Sequence, residues 1–389
     1  MQRVMDRSRF RAVCTRTAVV CACVLAHAVA LGAAGLPVPL DDGRPAVGVL
    51  VPLSGRLESV GQRIVRGVMC ACGVFGGAPG ENVRFVVKDY GDSDASVGDM
   101  VDELARDEGV VAVIGPVGER ARQVACARAA LHGLPLVSFT QVEPEPRPGT
   151  TCFVNFLTFD MQARSLLGAA RSLGVTRFAV LGADDQFGRA FVEAFARHAP
   201  SYGVKVTATR VYQAGRPDYL AELRALFSLA SRSGDPDALL IADDAANAGM
   251  AASYLRLLKI RRVRLFGPAL WDSPDLVRAG GGSVEGAVFL SGFSPRGVAA
   301  APRGFAEAFR PYGAQPGIWE ASAYDTARIV LGYLGAAVRP TRQGLTTYLA
   351  GLRGYDGASG VTSMRPDGSL EKKPSVLTVQ GGEVVEIFP

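Results

Sequence analysis

The 389 residues exceed one ordinary core and suit two domains or two interwoven lobes. With 48% hydrophobic and 20% charged residues the composition is globular, and the 46 Gly and 23 Pro are spread as turn punctuation, which excludes a disordered or low-complexity chain. The formal charge of +5 is concentrated at the start: residues 1–34 hold five Arg and one Asp, leaving about +1 beyond them, so the basic balance implies neither a nucleic-acid nor an anionic-membrane partner.

Residues 1–16 form a charged region with Arg3, Arg7, Arg9, Arg11 and Arg16, and Thr17–Ala34 is apolar with small residues toward its end. This predicts a secretory signal peptide over residues 1–34, cleaved within 28–34. The alternatives are an uncleaved anchor, for which the apolar run is short and holds His27, and a lipoprotein, for which Cys21 and Cys23 come early. No later segment is long and apolar enough to span a membrane, and the leader predicts an exported protein. Beyond the leader remain Cys70, Cys72, Cys126 and Cys152, which permit one disulfide without assigning it.

The elements then alternate. Ala46–Pro52 reads as a buried strand ending in a Pro-Leu-Ser-Gly turn, followed by a helix at 60–75, a strand at 83–89, a helix at 96–108, a strand at 110–115, a helix at 120–131 and a strand at 134–139. The pattern restarts with strands at 178–181, 205–212, 237–242 and 264–267, interleaved with helices at 188–198, 219–231 and 248–258. A strand at 286–291, helices around 303–310, 320–338 and 344–351, and a closing hairpin of 375–380 and 383–388 complete the chain. Such β-α repetition calls for parallel sheets covered by helices. The late helices are too few for a third domain and complete the first unit. The expected division is residues 45–154 plus 285–361 in an N-terminal lobe and 155–284 plus 362–389 in a C-terminal lobe.

Catalytic signatures are missing: no GxSxG, HExxH, Walker A or full GxGxxG occurs, and no Cys/His spacing suits a metal, so neither an enzyme nor a cofactor is expected. Gly115-Pro116-Val117-Gly118 reads as a tight strand-to-helix turn whose following helix N-terminus faces the carboxyl edge of the sheet. Asp184-Asp185 and Asp243-Asp244 read as helix caps or loop groups at strand ends, where open α/β sheets bind ligands. Trp271 reads equally as a cleft aromatic or a core anchor.

VGVLVPLSGRLESVGQRIVRGV, VVAVIGP, GLPLVSFTQ and RFAVLGADDQFGRAFVEAF, followed by PDALLIADDAANAGMAASYLR, VRLFGPALW and EASAYDTARIVL, closely resemble the leucine/isoleucine/valine-binding branch of type I periplasmic binding proteins. SFTQ, FVNFLT and LFGPALWDSPDLV give a further likeness to the penicillin-binding-protein activator-like group. The resemblance implies an α/β fold of two Rossmann-like lobes with parallel sheets, joined by a three-stranded hinge and closing on a ligand. It also implies delivery of a small polar, amino-acid-like or peptide-like solute to an ABC transporter permease, or in the activator-like group regulation of a cell-wall synthase. Positions of the family's amino-acid pocket fall on Val60, Glu119, Thr140, Gln141, Val142, Phe187 and Ala269, where this chain departs from the family's residues. The serine that grips the α-carboxylate aligns with Glu119, and the acidic residue that meets the ammonium falls near Ala269, which argues against a free branched-chain amino acid. Glu119 either faces the ligand or points to solvent, leaving Arg120 as the anion contact. The candidate ligand contacts are Ser54, Gly118, Glu119, Ser138, Thr140 and Gln141 in the first lobe, and Phe187, Asp244 and Trp271 in the second.

Overall fold

A computed structural model describes residues 43–73, 82–215, 218–260 and 262–388. The leader expected over residues 1–34 lies outside the described residues, as do the last positions of the helix expected at 60–75. From Arg44 onward the chain forms one unit.

Five parallel strands, β1 (Ala46–Val51), β2 (Arg84–Asp89), β3 (Val110–Val117), β4 (Leu136–Phe139) and β5 (Cys152–Val154), make the first sheet in the order β2-β1-β3-β4-β5. Their apolar runs are continuous because both faces are covered. Helices α1 (Glu58–Ala71), α10 (Ile318–Ala336) and α11 (Arg342–Ala350) cover one face around Ile64, Phe139, Phe153 and Leu345, all fully buried. Helices α2 (Ser96–Arg106) and α3 (Glu119–Leu131) cover the other around Leu50, Val97, Val101 and Ala125.

The second sheet is mixed and seven-stranded, ordered β15-β14-β10-β9-β8-β6-β7. Parallel strands β6 (Arg177–Ala183), β7 (Lys205–Tyr212), β8 (Ala238–Ala242), β9 (Arg264–Gly267) and β10 (Val288–Ser291) are extended by the antiparallel hairpin of β14 (Ser375–Gln380) and β15 (Glu383–Phe388). One face packs on α4 (Phe159–Ser172) and α5 (Gln186–His198), the other on α6 (Tyr219–Ser231), α7 (Ala245–Leu257) and α8 (Pro274–Gly280). A third sheet, β11 (Tyr355–Gly357), β12 (Gly360–Met364) and β13 (Leu370–Lys372), places Met364 and Leu370 in the first core. Helix α9 (Ala300–Phe309) packs Phe305 and Phe309 against Cys70 and Ala321.

The chain therefore passes between the two sheets three times: after β5, after β10 and after β13. These passages correct the expected boundaries. Val288–Ser291 hydrogen-bonds to β9 and β14, so it belongs to the second sheet although it lies past 285. Residues 362–372 stay with the first core because Met364 and Leu370 fill it.

A buried polar network ties the passages together. Lys372 Nζ donates to Asn155 Oδ1 at 2.6 Å and Ser359 Oγ at 2.7 Å. Asn155 Nδ2 donates to Thr326 on α10 at 3.0 Å. Asp325 accepts from the backbone N–H groups of Ala358 and Ser359, both at 2.7 Å, and from the Ser359 hydroxyl. Burial raises the Asp325 carboxyl above its usual range and brings Lys372 down to about 8, while each charge opposes the shift of the other.

Cys126 on α3 is bonded to Cys152 on β5, the pairing the sequence leaves open, and Cys70 and Cys72 are free. Burial pushes Cys70 to about 11 and Cys72 to about 12.

Two outcomes are expected. Lys372→Ala leaves Asp325 without its cation and costs about 3 kcal/mol in urea unfolding; a loss below 0.5 kcal/mol contradicts the network. In protein lacking residues 1–34, the two free thiols react with a disulfide reagent at pH 8 about a hundredfold more slowly than exposed cysteine. Denaturant releases two thiols per chain, where four would exclude the Cys126–Cys152 bond.

Candidate functional site

In open α/β sheets the turns after the strands' carboxyl ends form the ligand-binding edge. On the first sheet these turns follow β1, β2, β3 and β4. Asp89, ending β2, accepts from Leu53 N at 2.7 Å and Gly91 N at 2.9 Å, which holds the turn after β1 against the turn after β2. Burial raises its carboxyl, but these backbone bonds and the Ser54 hydroxyl outweigh that and lower it. Tyr90 is buried, and its phenol both accepts from Val117 N and donates to Val117 O, each at 3.1 Å. Its hydroxyl is pushed to about 12 by burial.

Gly118 caps α3 at φ +83°, a left-handed backbone that a side chain would strain. Glu119 follows as the first residue of α3. Its carboxylate takes Arg122 Nε and Nη2 at 2.7 and 2.6 Å, Gln123 Nε2 at 2.8 Å and the Thr140 hydroxyl at 3.3 Å. Burial opposes the ionised form, yet Arg122, Gln123 and Thr140 bring the carboxyl below its usual value. The Glu119 carboxylate is thus turned onto Arg122, Gln123 and Thr140, and Arg120 stands exposed.

On the second sheet, Asp185 caps α5 through Gly188 N at 2.7 Å, and Asp244 caps α7 through Asn247 N at 2.8 Å. Asp184 pairs with Arg189. Phe187 stacks on Phe191 at 5.8 Å and meets Phe159 edge-on at 5.4 Å. Asp243 is buried and accepts from the Tyr212 hydroxyl. Asp272 is open to solvent but has protein on most sides; desolvation raises its carboxyl, opposed by the Ser291 hydroxyl and Arg296.

Of the expected contacts, Ser54, Gly118, Glu119, Thr140 and Gln141 lie on the edge of the first sheet, and Glu119 and Thr140 touch directly. Phe187 and Asp244 lie on the edge of the second, with Asp244 serving as a cap. Two expectations are corrected. Ser138 is fully buried inside β4 and donates to Phe153 O at 3.2 Å, so it serves the sheet. Trp271 is fully buried against Phe289 and sits over Gly267, where a Cβ would come within 2.0 Å of the indole. Sequence reading passes over Tyr90, Arg122 and Asp272. Only Arg122 leaves a readable sign, a cation three residues after Glu119 on one helix face.

Two cavities stand away from most of these residues. One of about 700 Å³ lies where the passages between sheets meet, against Arg164, Phe293, Ser359 and Lys372. The other, about 810 Å³, lies beside α3 and includes Glu119, Arg122 and Cys126. Among the described residues no three His, Cys, Asp or Glu cluster as metal ligands, and no helix is long and apolar enough to cross a membrane.

Two lobes joined by three connecting passages define the type I periplasmic binding fold. The chain belongs to the periplasmic binding protein family, whose model matches residues 46–383. It is similar in structure to a protein assigned to branched-chain amino acid ABC transport from Rhodospirillum rubrum (23% identity, TM-score 0.77, covering 88% of this chain and 100% of that one). A second likeness is to the branched-chain amino acid substrate-binding protein LivJ of Streptococcus pneumoniae in complex with isoleucine (22% identity, TM-score 0.63, 88% and 100% covered). A third is to an ABC-transporter solute-binding protein of Rhodopseudomonas palustris in complex with 3,4-dihydroxybenzoic acid (18% identity, TM-score 0.67, 88% and 96% covered). No curated protein sequence matches the chain.

Truncating Trp271 to Ala removes a core anchor and is expected to cost about 4 kcal/mol in chemical denaturation. A cost under 1 kcal/mol would return Trp271 to the ligand-facing surface.

Proposed function

We propose that the chain is an exported solute-binding protein that closes on a small polar ligand and presents it to an ABC transporter permease. The observation that carries this reading is the pair of strand-end edges borne by two sheets that share three passages, within a chain matched by the family over residues 46–383. Closure follows when a solute touches both edges and so favours the closed form by its difference in affinity for the two. The Cys126–Cys152 bond supports an oxidising compartment, in keeping with export and cleavage of the leader. The reading is of a binder, since the edges carry caps and ion pairs instead of a nucleophile with its base. The isoleucine and 3,4-dihydroxybenzoate complexes of the similar structures leave the solute class to be settled by chemistry local to this chain.

Thermal unfolding of protein lacking residues 1–34, scanned against amino acids, short peptides and muropeptide fragments, tests the proposal. A solute at a hundredfold its Kd stabilises the fold by about 2.7 kcal/mol, a clear rise in Tm. A folded sample that responds to no solute, yet retains a cell-wall synthase in pull-down, would replace transport with regulation of peptidoglycan synthesis.

A further inference from the structure

The three passages between the sheets line the cavity of about 700 Å³, a size that suits a small-molecule pocket. None of the candidate contacts at the strand-end turns lines it. Every passage contributes: Met161 follows the first, Gly292 and Phe293 belong to the second, and Lys372 leads into the third. Arg164 and Tyr202 bring in the second lobe, Ala299 and Pro302 the first.

Apolar side chains make its floor and its mouth. Met161, Phe293 and Leu370 are buried, whereas Val298 is 71% and Val361 51% exposed. These two valines are apolar surface left in water that a bound apolar body would cover. The charges in the wall are of both signs and already engaged. Arg164 donates to both carboxylate oxygens of Glu143 at 2.9 and 3.1 Å, Glu371 pairs with Arg365, and Glu386 accepts from Val298 N at 3.2 Å. Neither an anion nor a cation meets a field of one sign there. Hydrogen-bonding capacity remains at Lys372. Its ammonium carries three donors and, among the described residues, gives two of them, to Asn155 and Ser359. The residue is buried, so the cavity it lines is where a further acceptor can reach it.

We propose that this cavity is a second small-molecule site, taking an uncharged, largely apolar molecule with one carbonyl or hydroxyl acceptor for Lys372, and that its occupancy is coupled to the angle between the lobes. Rotation about the passages changes the spacing of walls that belong to different lobes, so an occupant that fits one spacing favours it. By linkage, this occupant and a solute held at the strand-end turns change each other's affinity by the same factor. The site stands independently of the solute-receptor reading, and only its effect on solute affinity rests on that reading.

The probe is prodan, an uncharged dye with a naphthalene body and one carbonyl, titrated into protein lacking residues 1–34. Its emission is expected to shift to the blue with saturable, single-site binding. Acetylnaphthalene is expected to displace it about tenfold better than ethylnaphthalene, which lacks the acceptor, and than naphthoate, which is charged. Val298→Trp and Val361→Trp enlarge exposed positions at the mouth, and each is expected to weaken prodan about tenfold with circular dichroism unchanged. No saturable binding overturns the site, as does prodan affinity unaltered in both variants. Equal displacement by the three competitors overturns its ligand class. Small-angle X-ray scattering reads the coupling: saturation with acetylnaphthalene changes the radius of gyration of the wild type, and an unchanged radius overturns the link to lobe angle. For a solute found by the thermal scan, filling the site with acetylnaphthalene is expected to change its Kd about fivefold. Prodan binding that both variants weaken, in a protein that answers no solute, supports this site and removes only the receptor reading.

Discussion

A lysine cannot be buried without a partner, and Lys372 is buried where the chain crosses for the third time from the first core to the second sheet. Its ammonium is anchored to Asn155, at the start of the first crossing, and to Ser359, itself held by Asp325 of α10. Two of the three crossings are thereby fastened to one helix of the first lobe. The crossing after β10 is held by packing: Gly292 lies under Ile318 and Leu157, and a Cβ there would fall 2.1 Å from Ile318 Cδ1. Polar fastening on one side and tight apolar contact on the other leave the few residues beyond 155, 292 and 372 to absorb rotation, as hinges of domain closure do. Buried polar networks of this kind fix geometry more than they add stability.

The first lobe's edge is rigid for a related reason. Asp89 gathers the turns after β1 and β2, Tyr90 clasps β3, and Glu119 binds α3 to the turn after β4 through Thr140. The disulfide adds a covalent link from α3 to β5, the strand that leads into the first crossing. An edge braced in this way loses little order when a ligand arrives.

The strands were legible because a parallel sheet buried on both faces demands unbroken apolar runs, and AVGVLV, VVAVIG and ALLIA stand out as such. Helix α4 has no expected counterpart: FDMQARSLLGAARS is rich in Ala, Ser and Gly, although Thr158 marks its start by accepting from Met161 N. The three-stranded sheet at 355–372 goes unread except for its Pro-Asp-Gly turn, because strands of three to five residues with glycines exist only through their pairing. Lobe boundaries failed likewise at β10, whose sheet is set by β9 and by a hairpin nearly ninety residues later. For the site, strand-end position selected the right turns, but orientation is tertiary. Trp271 is buried because Gly267 leaves room for an indole, and Ser138 because β5 supplies a carbonyl.

The two edges differ in how their acids are balanced. Glu119 is neutralised by Arg122, Asp184 by Arg189, and Asp185 and Asp244 are engaged as helix caps. Asp272 holds the Ser291 hydroxyl, and among the described residues no ion pair is formed at its carboxylate. Its raised carboxyl reflects desolvation by the protein around it, and further exclusion of water would raise it more. A solute that brings a donor or positive charge toward Asp272 removes that penalty, whereas an anion adds to it.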